Sequence, residues 1–493
     1  MGALYITRSN QKPMINKITG QTNIYKYSRV IKRDITSFAS IDKQIKEHLE
    51  AIEERDSNVW SNPSYNKNEF VHSIFQYPAM MVPEVQRQII DVIFRYTGSQ
   101  QINAMLDPFM GSATSLVSSM HYGIDCYGQD INPLAILIAK VRTSLINVNF
   151  KKLRTNVKHL FSLIEQDKDE AIECEYYNID KWFKNTTQLE LSRIVRAIRQ
   201  EEDILIRQFY WANLAEVIRV CSNDRTSTYK LHARPIHDIQ TRVMSAVSEF
   251  RKQLEISIDG YAEFKEFLRK KGRINGHGYL GNIYIKQGDS KKDITFEGQP
   301  QQFANLLVSS PPYGDNHTTV TYGQYSFLQL QWIDLEDIYS GCSDAFLKST
   351  AEIDRISIGG KRKLQDFSNR LGHLLNLSAS FRQDYLVFRK QDPVKKEKIV
   401  SFLYDLDMVL TNAVNSLAAN SYMVWTMGNR SVGQQTVNNV QYLKEMLESK
   451  GCIFVHSLAR TIHNKRMAKN NGLSPLMNTE EILIFRKPQI DRI

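Results

Sequence analysis

The stretch INAMLDPFMGSATSLVSSMHYGIDCYGQDINPLAILIAK, residues 102–140, leaves few choices of fold. It reads as a strand over 102–106, a glycine-bearing loop, a helix from about 114, a strand over 124–128, and a helix capped by Asn132 with Pro133 in its first turn. Strand alternating with helix predicts a parallel, doubly wound α/β sheet. In such sheets ligands bind outside the carboxyl ends of the strands, so the residues that close each strand are where chemistry is expected.

The rest of the chain extends and interrupts this pattern. Upstream, VPEVQRQIIDVIFRYTG is a helix with Pro83 in its first turn, Val85, Ile89, Val92, Ile93 and Tyr96 on one face, and Gly98 as its stop. Between about 148 and 280 the sequence is helical and charged, with Leu191, Ile194, Val195 and Ile198 sharing a face, which implies an insertion or a separate lobe. The sheet resumes with NIYIKQGDS at 282 and FANLLVSSPPY at 303. A second, irregular stretch runs over 336–400, followed by a helix at 400–418, a strand at 422, a helix at 437–449 and the strands CIFVHSLAR and EEILIFRK. The expected division is a basic arm over 1–60, a cofactor-binding half over 61–147, the helical insertion 148–280, a catalytic half over 281–335, the second insertion 336–400, and the end of the sheet over 401–493.

Four strand ends carry candidate chemistry. In LDPFMGSAT, Gly111 and its small neighbours let backbone amides approach an anionic or polar ligand at a helix start. Asp130 ends the second strand about 20 residues later, where an acid can hold the hydroxyls of a ribose. Together the two features imply a nucleoside-containing cofactor. Asp289 follows the third strand in QGDS, suited to a purine amino group or to an ordinary turn after Gly288. After the fourth strand, Pro311 and Pro312 stop the ladder and free carbonyl oxygens, Ser310 precedes them, and Tyr313 offers a flat face for a heterocycle.

The set FQYPAMMVP, LDPFMGSAT, GQDINPLA, QGDS and SSPPYGD resembles the DNA methyltransferases that modify exocyclic amino groups with S-adenosyl-L-methionine. The resemblance covers the chain from about 70 to the end, apart from the two insertions. It implies a Rossmann-like methyltransferase sheet, mostly parallel with one antiparallel strand, plus a largely helical insertion. It also implies that Tyr77 and Pro78 cover the methionine part of the cofactor, that Asp107, Pro108, Phe109, Gly111, Ser112 and Thr114 line the same end, that Asp130 and Ile131 hold the ribose side, and that Asp289 receives the adenine amino group. Ser310, Pro311, Pro312 and Tyr313 then form the catalytic pocket. A serine at the head of this motif is associated mainly with N4 of cytosine; N6 of adenine is the alternative, and a DNA-binding specificity subunit with an idle methylation site is another. The related motif GSGT is GSAT here, with Ala113 in place of glycine.

The expected partner is double-stranded DNA, with a cognate restriction endonuclease alongside and the enzyme itself a monomer. The net charge of +10 agrees with a polyanion partner. Arg8, Lys12, Lys17, Lys26, Arg29, Lys32 and Arg33 all precede the first acid, Asp34, as in an arm on a phosphate backbone or a solvated terminus. Within 148–280, Arg219, Asn223, Arg225, Ser227, Thr228, Lys230 and His232 form a dense polar set that either contacts DNA or braces the catalytic domain. Tyr322 and Tyr325 are expected on a loop over the substrate, His317 as a hydrogen-bonding residue of that loop, and Arg430, Lys465, Arg466 and Lys469 as phosphate contacts or solvated loop residues. The five cysteines show no CxxC or Cys/His pairing, so neither a disulfide framework nor a metal site is expected. No apolar signal core or membrane span is evident, which points to the cytoplasm.

Overall fold

The computed structural model describes residues 38–62, 64–66, 68–314, 320–360, 366–390, 392–432, 435–462 and 479–489. The basic residues from Arg8 to Arg33, together with His317, Lys465, Arg466 and Lys469, lie outside them.

Among the described residues one seven-stranded sheet forms the frame: β1 (Ala104–Asp107), β2 (Asp125–Asp130), β3 (Ile283–Gln287), β4 (Ala304–Ser309), β5 (Leu417–Met427), β6 (Ile453–Thr461) and β7 (Thr479–Lys487). Their order across the sheet is β6, β7, β5, β4, β1, β2, β3. Neighbours run parallel except at β7, which is antiparallel to both β5 and β6. This is the Rossmann-like α/β sheet expected from the sequence. The chain moves outward from β1 through β2 to β3, then returns to β4 on the other side of β1, so a topological switch point lies between β1 and β4.

Both faces of the sheet are covered, which is why its strands are apolar on both sides. Met105, Leu306, Val424 and Ile484 belong to one buried cluster, and their neighbours Leu106, Leu307, Trp425 and Phe485 belong to the other. The first cluster takes in α1 (Phe38–Arg55), α2 (Pro83–Thr97), α3 (Thr114–Met120) and α4 (Pro133–Ser144), along with α5 (Ile204–Cys221), α6 (Ala246–Lys270) and α7 (Tyr322–Leu330). The second is roofed by α8 (Pro393–Ser416) and the helix Asn439–Ser449.

Three boundaries differ from the sequence reading. Helix α1 is no part of a free arm: Ile45 and Leu49 are fully buried, and Asp42 accepts from Tyr422 Oη at 2.7 Å and from Arg486 Nη2 at 2.9 Å. The 148–280 segment is no separate lobe, because Phe209, Trp211, Tyr261 and Phe264 join the cluster that contains Met105. The 336–400 stretch is helical rather than irregular, with helices at Glu352–Ile356, Phe367–Leu377 and Ala379–Phe388 before α8 begins at Pro393. Helices of five to eleven residues are too short to show a sustained 3.6-residue period. Among the described residues no helix is long and apolar enough to cross a membrane, and no group of His, Cys, Asp and Glu is placed to hold a metal ion.

Candidate active site

The loop after β1 turns because two of its residues adopt left-handed backbone. Gly111 has φ +49°, and a Cβ there would sit 3.3 Å from Tyr77 Cε1, so glycine lets the loop and the Tyr77 segment approach. Ala113 has φ +66° and is wholly buried, so the structure accommodates its methyl group where the related motif has glycine, at about 1–2 kcal/mol of backbone cost.

Asp107 closes β1 with no exposed surface. Its carboxylate accepts from the Phe109 N–H at 3.0 Å, from the Ser309 hydroxyl at 2.6 Å and from the Ser115 hydroxyl. Burial outweighs those donors and raises its pKa to about 6. Asp107 therefore stands behind the loop and ties it to the last residue of β4, instead of lining the ligand side as the resemblance implies.

A cleft, open at its mouth, lies outside the carboxyl ends of β1 to β4. It brings together Tyr77, Pro78, Pro108, Phe109, Gly111, Ser112, Thr114, Asp130, Ile131 and Asp289, and it includes Ser310 and Pro312 from the fourth strand end. Asp130 accepts from the amides of Gly111 and Asn132, each at 2.9 Å, and burial raises its pKa to about 6. Asp289 accepts from Lys291 N–H at 3.1 Å and lies 3.3 Å from Lys291 Nζ.

Two residues hold this cleft in shape: Asn132, expected only as a helix cap, and Arg142, which sequence reading overlooked. Asn132 caps α4, and its Nδ2 donates to Tyr77 Oη and to Ser326 Oγ, each at 2.9 Å, joining the Tyr77 segment to α7. Arg142 is fully buried and donates to the carbonyls of Ser112 at 2.8 Å, His72 at 3.1 Å and Phe75 at 2.6 Å. Burial lowers its pKa to about 9. No local pattern marks Arg142, because its three acceptors are backbone atoms 30 to 70 residues away.

The SPPY loop is fixed from the far edge of the sheet. Tyr313 Oη donates to Glu480 Oε1 at 3.0 Å and lies 3.4 Å from Ser310 Oγ, and Arg460 Nη1 stands 3.3 Å from the other Glu480 oxygen. Burial and the Glu480 charge both push the Tyr313 phenol well above its ordinary value. Asn439 Nδ2 donates to Tyr313 O at 3.2 Å, and Arg430 donates to Gly314 O. Gly314 has φ +88°, and a Cβ there would come within 2.4 Å of the Phe402 ring. Tyr313 is thus half-buried with its hydroxyl engaged, and neither it nor Pro311 lines the cleft.

Several residues expected to meet DNA are spent inside the protein. Arg219 pairs with Glu216, a buried residue of α5 that also accepts from Gln76 N–H at 3.3 Å. Asn223 is buried and donates to Lys181 O at 3.1 Å, and Arg430 is buried against Phe402. Tyr322 opens α7 and lines the cleft 6.1 Å from Tyr77, while Tyr325 donates to Gln76 O, so neither sits on a loop tip. Arg225, Ser227 and His232 are exposed, and Lys230 is partly so.

The sequence matches no protein-family model. It is 27% identical over 439 residues to Type II methyltransferase M.MvaI of Kocuria varians, covering 87% of this chain and 93% of that protein. It is 28% identical over 170 residues to Type II methyltransferase M.MjaII of Methanocaldococcus jannaschii, covering 32% of this chain and 30% of the relative. Among solved structures, the rRNA methyltransferase aviRa from Streptomyces viridochromogenes aligns over 84% of this chain and 89% of its own, with 8% identity and a TM-score of 0.31.

The methyl donor that goes with this architecture is S-adenosyl-L-methionine, and the residues present fit it. The Ser112 hydroxyl on the cleft wall is buried and has no hydrogen-bond partner, Gly111 leaves space that a side chain would fill, and Asp130 and Asp289 offer acceptors to hydroxyl and amino groups. Over most of its length this chain is similar to the Type II methyltransferase M.MvaI, and its cleft and SPPY loop lie side by side at the switch point of its sheet.

Proposed function

We propose that this protein is an S-adenosylmethionine-dependent DNA methyltransferase of a restriction-modification system that methylates the exocyclic N4 of cytosine. The observation that carries this reading is the placement of Ser310 and Pro312 on the wall of the cofactor cleft, at the end of β4 and next to β1. The similarity to M.MvaI over most of both chains supports the methyltransferase class. The serine that heads the motif supports cytosine.

Bound in the cleft, S-adenosylmethionine supplies an electrophilic methyl group. Asp130 accepts from the ribose hydroxyls, Asp289 from the purine amino group, and Ser112 offers its free hydroxyl to the polar end. Phe109 and Ile131 shield the apolar surface, and Tyr77 and Pro78 cover the methionine part. On the target side, the Ser310 hydroxyl and the Pro311 carbonyl accept the two hydrogens of the cytosine amino group, which turns its lone pair toward the cleft. The base is extruded from the duplex to reach them. Tyr313, held by Glu480, keeps the loop in that shape. Methyl transfer leaves the amino nitrogen with four bonds and a positive charge, which makes its N–H strongly acidic, so the proton passes to solvent, a serine suffices and no strong base is required.

Of the predicted DNA contacts in the helical insertion, Arg225, Lys230 and His232 remain available to DNA, and they flank Tyr229, whose carbonyl accepts from the Thr321 hydroxyl just before α7 at 3.0 Å. The enzyme acts as a monomer beside its cognate endonuclease. The test is transfer of labelled methyl groups to unmethylated duplex DNA and, in parallel, to RNA. Label in DNA that disappears with Ser310→Ala and Tyr313→Ala supports the reading, and label confined to RNA, or none, defeats it.

A further inference from the structure

The first half of the second insertion helps to build the cleft. Ile353, Ser357 and Ile358 line the cleft together with Phe109 and Gly111. Three polar groups hold this wall in place. Lys291 Nζ, beside Asp289, donates to Ile356 O at 2.7 Å. Asp405 of α8 accepts from Gly359 N–H at 2.9 Å. Asp354, only 5% exposed, accepts from the amides of Tyr322 and Gly323 at 3.1 Å each, one on each carboxylate oxygen.

That last contact joins two parts of the site that are distant in sequence. Tyr322 and Gly323 open α7, the helix that follows the SPPY loop, and Tyr322 itself lines the cleft. The first amides of a helix have no partner within the helix, so a carboxylate across both of them satisfies two donors and opposes the positive end of the dipole. The approach is close: a Cβ on Gly323 would lie 2.3 Å from Thr350 O and 3.1 Å from Asp354 Oδ2. The wall at 353–358 and the start of α7 are therefore packed directly against each other.

We propose that Asp354 is a positioning residue through which ligand in the cofactor cleft orders the start of α7, and with it Tyr322. The proposal rests on the cleft being the S-adenosylmethionine site. A ligand pressed against Ile353 and Ile358 steadies the wall, the wall steadies the Asp354 carboxylate, and the carboxylate holds the helix start. Removing the carboxylate leaves the cleft lined but unlinks it from α7.

The experiment uses the full chain and S-adenosylhomocysteine as probe, with calorimetric binding and amide hydrogen exchange measured for the wild type, Asp354→Ala and the isosteric Asp354→Asn. In the wild type the probe binds and slows exchange both in the peptide containing Gly111 and in the one covering 320–330. In Asp354→Ala binding weakens about tenfold, protection at the Gly111 peptide persists, and ligand-dependent protection of 320–330 is lost. Asp354→Asn, which turns an amide group toward one of the two donors, shows the same loss in smaller measure and stands in if the alanine variant does not fold. Wild-type-like protection of 320–330 in the variants overturns the proposal while leaving the cofactor site intact. Failure of the wild type to bind the probe overturns the cofactor reading, and this proposal with it.

Discussion

Asp107→Asn separates what the fold wants from what the site needs. The native carboxyl has its pKa raised from 3.8 to about 6, chiefly by burial, which corresponds to about 3 kcal/mol between its protonated and ionised forms. The native state thus binds the proton more tightly than the unfolded chain. The stability this confers is fully present below pH 3.8 and is lost as pH rises through about 6. At pH 7.5 the buried ionised group is a standing cost. Asparagine removes the charge and keeps the shape: its Oδ1 can accept from Phe109 N–H, and its amide group can donate to the hydroxyl of Ser115 or Ser309, since either hydroxyl can turn to accept. The exchange of one charge-assisted hydrogen bond returns about 1–2 kcal/mol, leaving the variant about 1–2 kcal/mol more stable at pH 7.5. Urea unfolding of both proteins between pH 5 and 7.5 is the assay. The advantage should shrink to nothing by about pH 5, where much of the wild-type carboxyl is already protonated. A variant less stable than wild type at pH 7.5, or a difference that ignores pH, would refute the reasoning.

Other perturbations address the SPPY loop and the proposed DNA surface. Gly314→Ala combines a strained φ of +88° with a Cβ 2.4 Å from the Phe402 ring, and should cost about 2–4 kcal/mol in thermal unfolding and remove most methyl transfer. Glu480→Gln and Tyr313→Phe each weaken the same hydrogen bond, so each should lower turnover about 10- to 100-fold, with the double variant little worse than either and S-adenosylhomocysteine affinity within about twofold of wild type. Arg225→Ala and Lys230→Ala should each weaken DNA binding and reduce its salt slope by about 1, measured by fluorescence anisotropy at several salt concentrations. Arg219→Ala should leave that slope unchanged and lower the melting temperature, because it strands Glu216 in a buried position.

The parts of this molecule that were legible in its sequence are those fixed by neighbours in the chain. Asn132 and Pro133 announce the start of α4, Pro83 and Gly98 bracket α2, and Pro311 and Pro312 end β4 where the structure ends it. A cap, a proline or a left-handed glycine acts over one or two residues, so its signal is local. The alternation of apolar runs with such markers was enough for the class of sheet. The rest depends on contacts that no spacing reveals. Arg142, Asp354 and Glu480 meet their partners 30 to 167 residues away, and a lone charged residue looks the same whether it faces solvent or a buried carbonyl. Arg219, Asn223 and Arg430 show the reverse: polar and unremarkable in composition, they are consumed by internal partners. The 336–400 segment read as irregular because its early helices are four or five residues long, too short to display a period.

The central claim is that Ser310 presents a cytosine amino group to the cofactor cleft. The most direct test is to incubate the purified protein with unmethylated genomic DNA and S-adenosylmethionine, digest to nucleosides and identify the product by mass spectrometry. N4-methyl-2′-deoxycytidine is the expected product, absent when Ser310 is replaced by alanine. N6-methyl-2′-deoxyadenosine would contradict the assignment of the base, and DNA that acquires no methyl group would contradict the function itself.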